Sequence, residues 1–146
     1  MLKSVVVFVL AAIVLFAPQN SWAGSKNYKE RLEAIQENHS VCMNKADTTA
    51  AMHACLNESH GKLDTLLNES YRALRKAVEE DKAYHAALRT EQLAWIKLRD
   101  AVLKNISERG GTIASVNAGD AANQLISNRI ELFVYLLLTL QGDEAL

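Results

Sequence analysis

The sequence predicts an all-α domain, a small bundle of about four helices, and three observations carry that expectation. No proline follows Pro18, and the glycines are sparse outside one cluster, so nothing punctuates the chain as strands and hairpins would. Apolar residues recur at spacings of three and four over long stretches. The two cysteines, Cys42 and Cys55, fall where a bridge would pin two successive helices into a hairpin.

The N-terminus stands apart from this domain. Lys3, an uncharged apolar stretch from Val5 to Ala17, Pro18 and a polar segment ending Ser21-Trp22-Ala23 have the layout of a cleavable secretory signal. Ser21 and Ala23 are small, as signal peptidase requires, so cleavage is expected between Ala23 and Gly24. The apolar run has 13 residues, short of the about 20 that a membrane span needs. No cysteine follows it to carry a lipid, and no stable membrane anchor is expected after cleavage.

The expected organisation is therefore a signal peptide over 1–23 and a single helical domain over 24–146, delivered to the periplasm or secreted. A mature chain of this length has room for one core and not two. Export places Cys42 and Cys55 where disulfides persist, and one bridge is expected. The alternatives are two inert thiols or a redox pair, though redox pairs normally have two residues between their cysteines, not twelve. Without the signal the chain has 15 basic and 17 acidic side chains, a balance that argues against a nucleic-acid binder.

Tyr28, Leu32, Ile35, His39 and Cys42 mark a first amphipathic helix from about Lys26 to Met43. Asp47, Thr48 and Thr49 form an N-cap cluster before a second, from about Thr48 to Glu80. Its stripe runs through Met52, Cys55, Leu56, Ser59, Leu63, Leu66, Leu67, Tyr71, Leu74 and Val78. Within it Leu56-Asn57-Glu58-Ser59 recurs as Leu67-Asn68-Glu69-Ser70, eleven residues on, which puts both copies on one face. Asp81 is suited to cap a third helix starting near Lys82, although a continuous helix through Glu79-Glu80-Asp81 is the alternative.

The third helix carries Tyr84, Leu88, Gln92, Trp95, Leu98, Arg99 and Val102 and ends at Arg109-Gly110-Gly111. Residues Gly110 to Gly119 are expected to form the one substantial loop. A fourth helix follows from about Asp120, and its apolar run from Leu132 to Leu140 is expected to be buried on several sides.

Three pieces then stand in order: Asp64-x-x-Leu67-Asn68-x-x-Tyr71-x-x-Leu74, Gln92-x-x-Trp95-Ile96-x-x-Arg99-Asp100, and Gly110-Gly111-Thr112 with Arg129-x-x-Leu132. Together they resemble the LprI-type lysozyme inhibitor family of bacterial exported and lipid-anchored proteins, over roughly Cys42 to Leu132. Many relatives have a cysteine shortly after the Arg-Asp pair and another before the last helix. Here those regions read Ala101-Val102-Leu103 and Asp120-Ala121-Ala122, so a whole second bridge is missing and no orphan thiol is left. The lipid-attachment cysteine of some members is also absent. The resemblance implies binding and inhibition of lysozyme, which protects a bacterial wall from muramidases.

For Asn68, Tyr71, Trp95, Arg99, Asp100 and Arg129 there are two readings, a partner-binding surface or a polar network that locks three helices. Spacing favours the network, with Arg99 or Arg129 paired to Asp64 or Asp100 and the Trp95 ring in the core. His39, His53, His60 and His85 are expected to be solvated. His53 and His60 are seven residues apart, about 10 Å along a helix, too far for one ion. His60 with Asp64 supplies only two ligands. No nucleophile elbow or phosphate-binding glycine loop is present, so neither catalysis nor a cofactor or metal is expected. The Asn-x-Ser triplets at Asn38, Asn57, Asn68 and Asn105 are expected in helices and to have no role as glycan sites.

The best candidates for partner contact are Arg109, Thr112, Ser115 and Asn117, a cation and hydrogen-bonding groups apt for a muramidase cleft that presents two carboxylates. The leading function is a non-enzymatic protein that binds lysozyme or another wall hydrolase. The alternatives are an immunity protein against an injected toxin protein, an envelope-assembly factor, and a structural or stress protein of the envelope.

Overall fold

The computed structural model describes residues 21–143, which form α1 (Ser21–Lys45), α2 (Thr49–Ala77), α3 (Lys82–Ser107) and α4 (Thr112–Asp143), with no strand among the described residues. The expected signal lies outside them, apart from Ser21–Ala23 at the start of α1.

The α1–α2 connection is short because Thr48 caps α2, its Oγ1 accepting from the Ala51 amide at 3.2 Å. Cys42 and Cys55 are bonded across it, with their Cα atoms 5.7 Å apart, so the pair pins the hairpin as the spacing predicts. Between α2 and α3 the question of one helix or two is settled by Asp81, whose carboxylate accepts from the Tyr84 amide at 2.9 Å. The second helix therefore stops at Ala77 rather than near Glu80, and Asp81 turns the chain into α3.

The core lies between α1, α2 and α4. Leu66, Leu74, Ile126, Ile130 and Phe133 are fully enclosed, with Leu32 of α1 and Leu88 of α3 at the flanks. Both copies of the Leu-Asn-Glu-Ser echo put the same members inward: Leu56, Ser59, Leu67 and Ser70 are buried. In the hub position is α4, which packs broadly against each of the other three helices.

One expectation about the fourth helix is corrected. Its start is Thr112, not Asp120, so there is no loop over Gly110–Gly119. The connection is only residues 108–111, and it bends at Gly110 and Gly111, at φ +77° and +81°, backbone that side chains disfavour. Gly119, read as the loop's far end, sits inside α4, where a Cβ would come within 3.1 Å of Leu56 Cδ1; it is there for close approach of α2 and α4. The run from Leu132 to Leu140 is buried on several sides, as expected, and open on one. Phe133, Val134 and Leu137 are buried, but Leu132, Tyr135 and Leu138 are exposed, Tyr135 at 62%. The reason is that α1 and α3 flank α4 without closing over the face opposite α2. No helix among the described residues is long and apolar enough to cross a membrane.

Candidate functional site

The motif residues divide into a joint and a surface. Arg129 of α4, 5% exposed, donates from Nε to Gln92 Oε1 at 2.8 Å and from Nη1 to Glu91 Oε1 at 2.7 Å, both on α3. Its guanidinium lies 4.6 Å from the Phe133 ring centre and 5.5 Å from that of Trp95. Phe133 meets Tyr71 of α2 at 5.6 Å, Arg75 covers Tyr71, and Arg99 covers Trp95. Rings and cations thus form a ladder across α2, α4 and α3, with the Tyr71 and Phe133 rings in contact at its centre and a guanidinium over each ring. Arg129 thus joins α4 to α3, and Phe133 carries the contact on to Tyr71 of α2.

Its partners differ from those expected. Arg129 pairs with Glu91, and Asp64 pairs with neither arginine: it is exposed and accepts from Asn68 of its own helix. Arg99 does bond Asp100, but as sequence neighbours at the surface. Trp95 is half-buried at the edge of the ladder rather than in the core. One donor, Arg129 Nη2, is buried without a partner among the described residues.

None of the four histidines is merely solvated; each ties one helix to another. His39 Nδ1 of α1 lies 3.1 Å from Ser59 Oγ of α2, and His53 Nε2 lies 3.0 Å from Ser115 Oγ of α4. His60 Nδ1 donates to Asn123 Oδ1 at 3.2 Å. Arg75 donates from Nε to His85 Nε2 at 3.1 Å. These links span 10 to 63 residues in sequence, so the helical wheel of one element gives no sign of them. Among the described residues no three His, Cys, Asp or Glu side chains converge as metal ligands.

The expected contact residues gather at the α3–α4 corner, though on a helix start and not a loop. Arg109, in the turn, and Asn117, in α4, line a cavity of about 420 Å³ together with Ile106, Ile113 and Ala114. Thr112 opens α4 and is exposed beside them. Ser115 is turned away: it donates to Thr112 O at 2.7 Å and meets His53 of α2. Composition did not single out Ile113, which is 60% exposed. Its helical register, three residues before the inward-facing Val116, is the only signal that it belongs to an open face. The corner therefore offers a guanidinium with no ion pair among the described residues, an amide and an exposed isoleucine, a mixture suited to a protein surface rather than to bond chemistry.

No curated protein and no solved structure gives a match to this chain. A family model, described as lysozyme inhibitor LprI, matches residues 42–132. That span runs from the bridged Cys42 through the whole of α2 and α3 to the Arg129 joint, and on it the chain belongs to the LprI family of lysozyme inhibitors.

Proposed function

We propose that this is an exported, non-enzymatic protein that binds a lysozyme-type muramidase and blocks it through the α3–α4 corner. The family match over residues 42–132 carries the reading. The corner supports it chemically: Arg109 projects from a glycine-pinned turn with Ile113 and Asn117 beside it. A muramidase cleft holds two carboxylates flanking the scissile bond, and a cation carried on a narrow helical corner complements them. The N-terminal layout supports export, which would bring the protein to the compartment where such enzymes act.

The test is to follow lysis of wall substrate by lysozyme with the exported protein in excess. Lysis should slow in proportion to inhibitor, and an unchanged rate ends the proposal. In the same assay Arg109→Ala combined with Ile113→Ala should weaken inhibition by about tenfold, the loss of one modest contact centre. Both side chains are exposed, so the bundle should melt as before. Full inhibition by this variant would move the contact elsewhere on the molecule.

A further inference from the structure

A second cavity lies between α1, α2 and α4, on the side of the bundle away from α3, with a volume of about 340 Å³. The interior there is polar where a helical bundle needs only apolar side chains. Ser59, Asn123 and Ser127 are each less than a tenth exposed. Asn123 Nδ2 donates to Ser59 Oγ at 2.6 Å and to Leu56 O at 3.2 Å, and its Oδ1 accepts from His60. Ser59 is in turn held by His39, whose Nε2 lies 3.9 Å from Asp120 Oδ1 at the mouth. Ser127 also lines the cavity and is 94% buried.

The remaining lining decides what fits. Gln36, Gln124 and Asn128 add three amides around the opening, and no lysine or arginine lines it. Phosphates and carboxylates therefore meet no counter-charge, and the Asp120 carboxylate repels them. Ile35 and Leu63 supply an apolar floor. Paired donors and acceptors over a small apolar patch match a neutral sugar that carries several hydroxyls and one acetamido group. The volume is at the small end of ligand pockets, about 300–1,000 Å³, which limits the occupant to one ring.

We infer that the cavity between α1, α2 and α4 binds a single N-acetylated amino-sugar residue, with Ser127, Asn128 and Gln36 meeting its polar groups. The site does not rest on the muramidase reading, since its residues lie outside the α3–α4 corner. In the envelope it would tether the protein to wall glycan.

The experiment is a titration of the isotope-labelled exported protein with N-acetylglucosamine, followed by amide shifts, with glucose as the comparison. Saturable shifts confined to the cavity segments of α1, α2 and α4 are expected, at millimolar affinity and weaker for glucose. Ser127→Leu, which fills the cavity, should abolish them. Because that variant alters the interior, Gln36→Ala with Asn128→Ala at the exposed rim should weaken binding several-fold in a bundle that melts as before. No shifts at the cavity, equal binding of glucose, or binding unchanged in the rim variant overturns the inference. The lysis assay reports separately: absent shifts remove the sugar site whatever lysis shows, and unchanged lysis removes the muramidase reading whatever the shifts show.

Discussion

Where α2 meets α1 and α4, eight of its side chains are buried, and six of them are leucines or the bridged cysteine. Where α3 meets α4, only Leu88 and Gln92 of α3 are buried, and the deepest group crossing the contact is the Arg129 guanidinium. Apolar burial is non-directional and rewards any close fit, so it holds α1, α2 and α4 together without specifying much else. A guanidinium fork on Gln92 and Glu91 has one geometry, and it fixes how far α3 slides along α4. Of the motif residues, Gln92, Trp95 and Arg129 meet at that joint.

The largest effect should come from the apolar region. Opening the Cys42–Cys55 bridge, by reduction or by replacing both cysteines with serine, releases a closed loop with a sequence separation of 13. A loss of about 3 kcal/mol is expected in denaturant unfolding. If reduction left the midpoint unmoved, α1 would be held by packing alone, and the contrast drawn above would lose its covalent part.

Next is the joint. Arg129→Ala removes a buried cation from two ring faces and two acceptors and should cost about 2 kcal/mol, smaller than a buried pair because Glu91 is 53% exposed and can rehydrate. Hydrogen exchange should quicken across α3 while amides of α1 and the first half of α2 keep their protection. Arg129→Met separates the causes: if it restores protection, packing against Trp95 and Phe133 holds α3, and if not, the hydrogen bonds do. Uniform quickening over all four helices would mean that the two regions unfold as one.

Asp81 tests where α3 begins. Its carboxylate is the cap that separates α2 from α3, and Asp81→Ala should destabilise by about 1 kcal/mol, with exchange rising first at Tyr84 and its neighbours. The sequence left this boundary open between a capped third helix and one continuous helix; the Thr48 cap, the bridge and the inward stripe of α2 were legible. All depend on residues a few positions apart. The start of α4 was not legible, because Gly119 has the composition of a loop and the task of a packing contact with Leu56, sixty-three positions away. The histidine links and the Glu91 partner were missed for the same reason: each is made across helices, and nothing local records it. The exposure of Tyr135 and Leu138 was not legible, because hydropathy reports that a face is apolar, not whether a neighbour reaches it. Of the candidate contacts, Arg109 and Asn117 lie together at the α3–α4 corner, whereas the Ser115 hydroxyl serves α2.

The smallest effect belongs to the Arg31–Glu69 pair, which joins α1 to α2 on the side of the apolar region. The hydrogen bond from Arg31 holds the Glu69 carboxyl below its usual pKa, against a small opposing effect of burial. A carboxyl depressed in the folded state contributes stability above its unfolded pKa and loses it as pH falls through the folded one. Both side chains are about a third exposed, so solvent screening leaves about 0.5 kcal/mol at neutral pH. The difference in unfolding midpoint between the native protein and Glu69→Gln should therefore be small at neutral pH and shrink in acid, below the ordinary carboxylate range. It should also diminish with salt, whereas the Arg129 effect, enclosed by two rings, should not. Equal salt sensitivity would place water inside the joint, and the ladder of rings and cations would then be a surface arrangement rather than the fastening of α3.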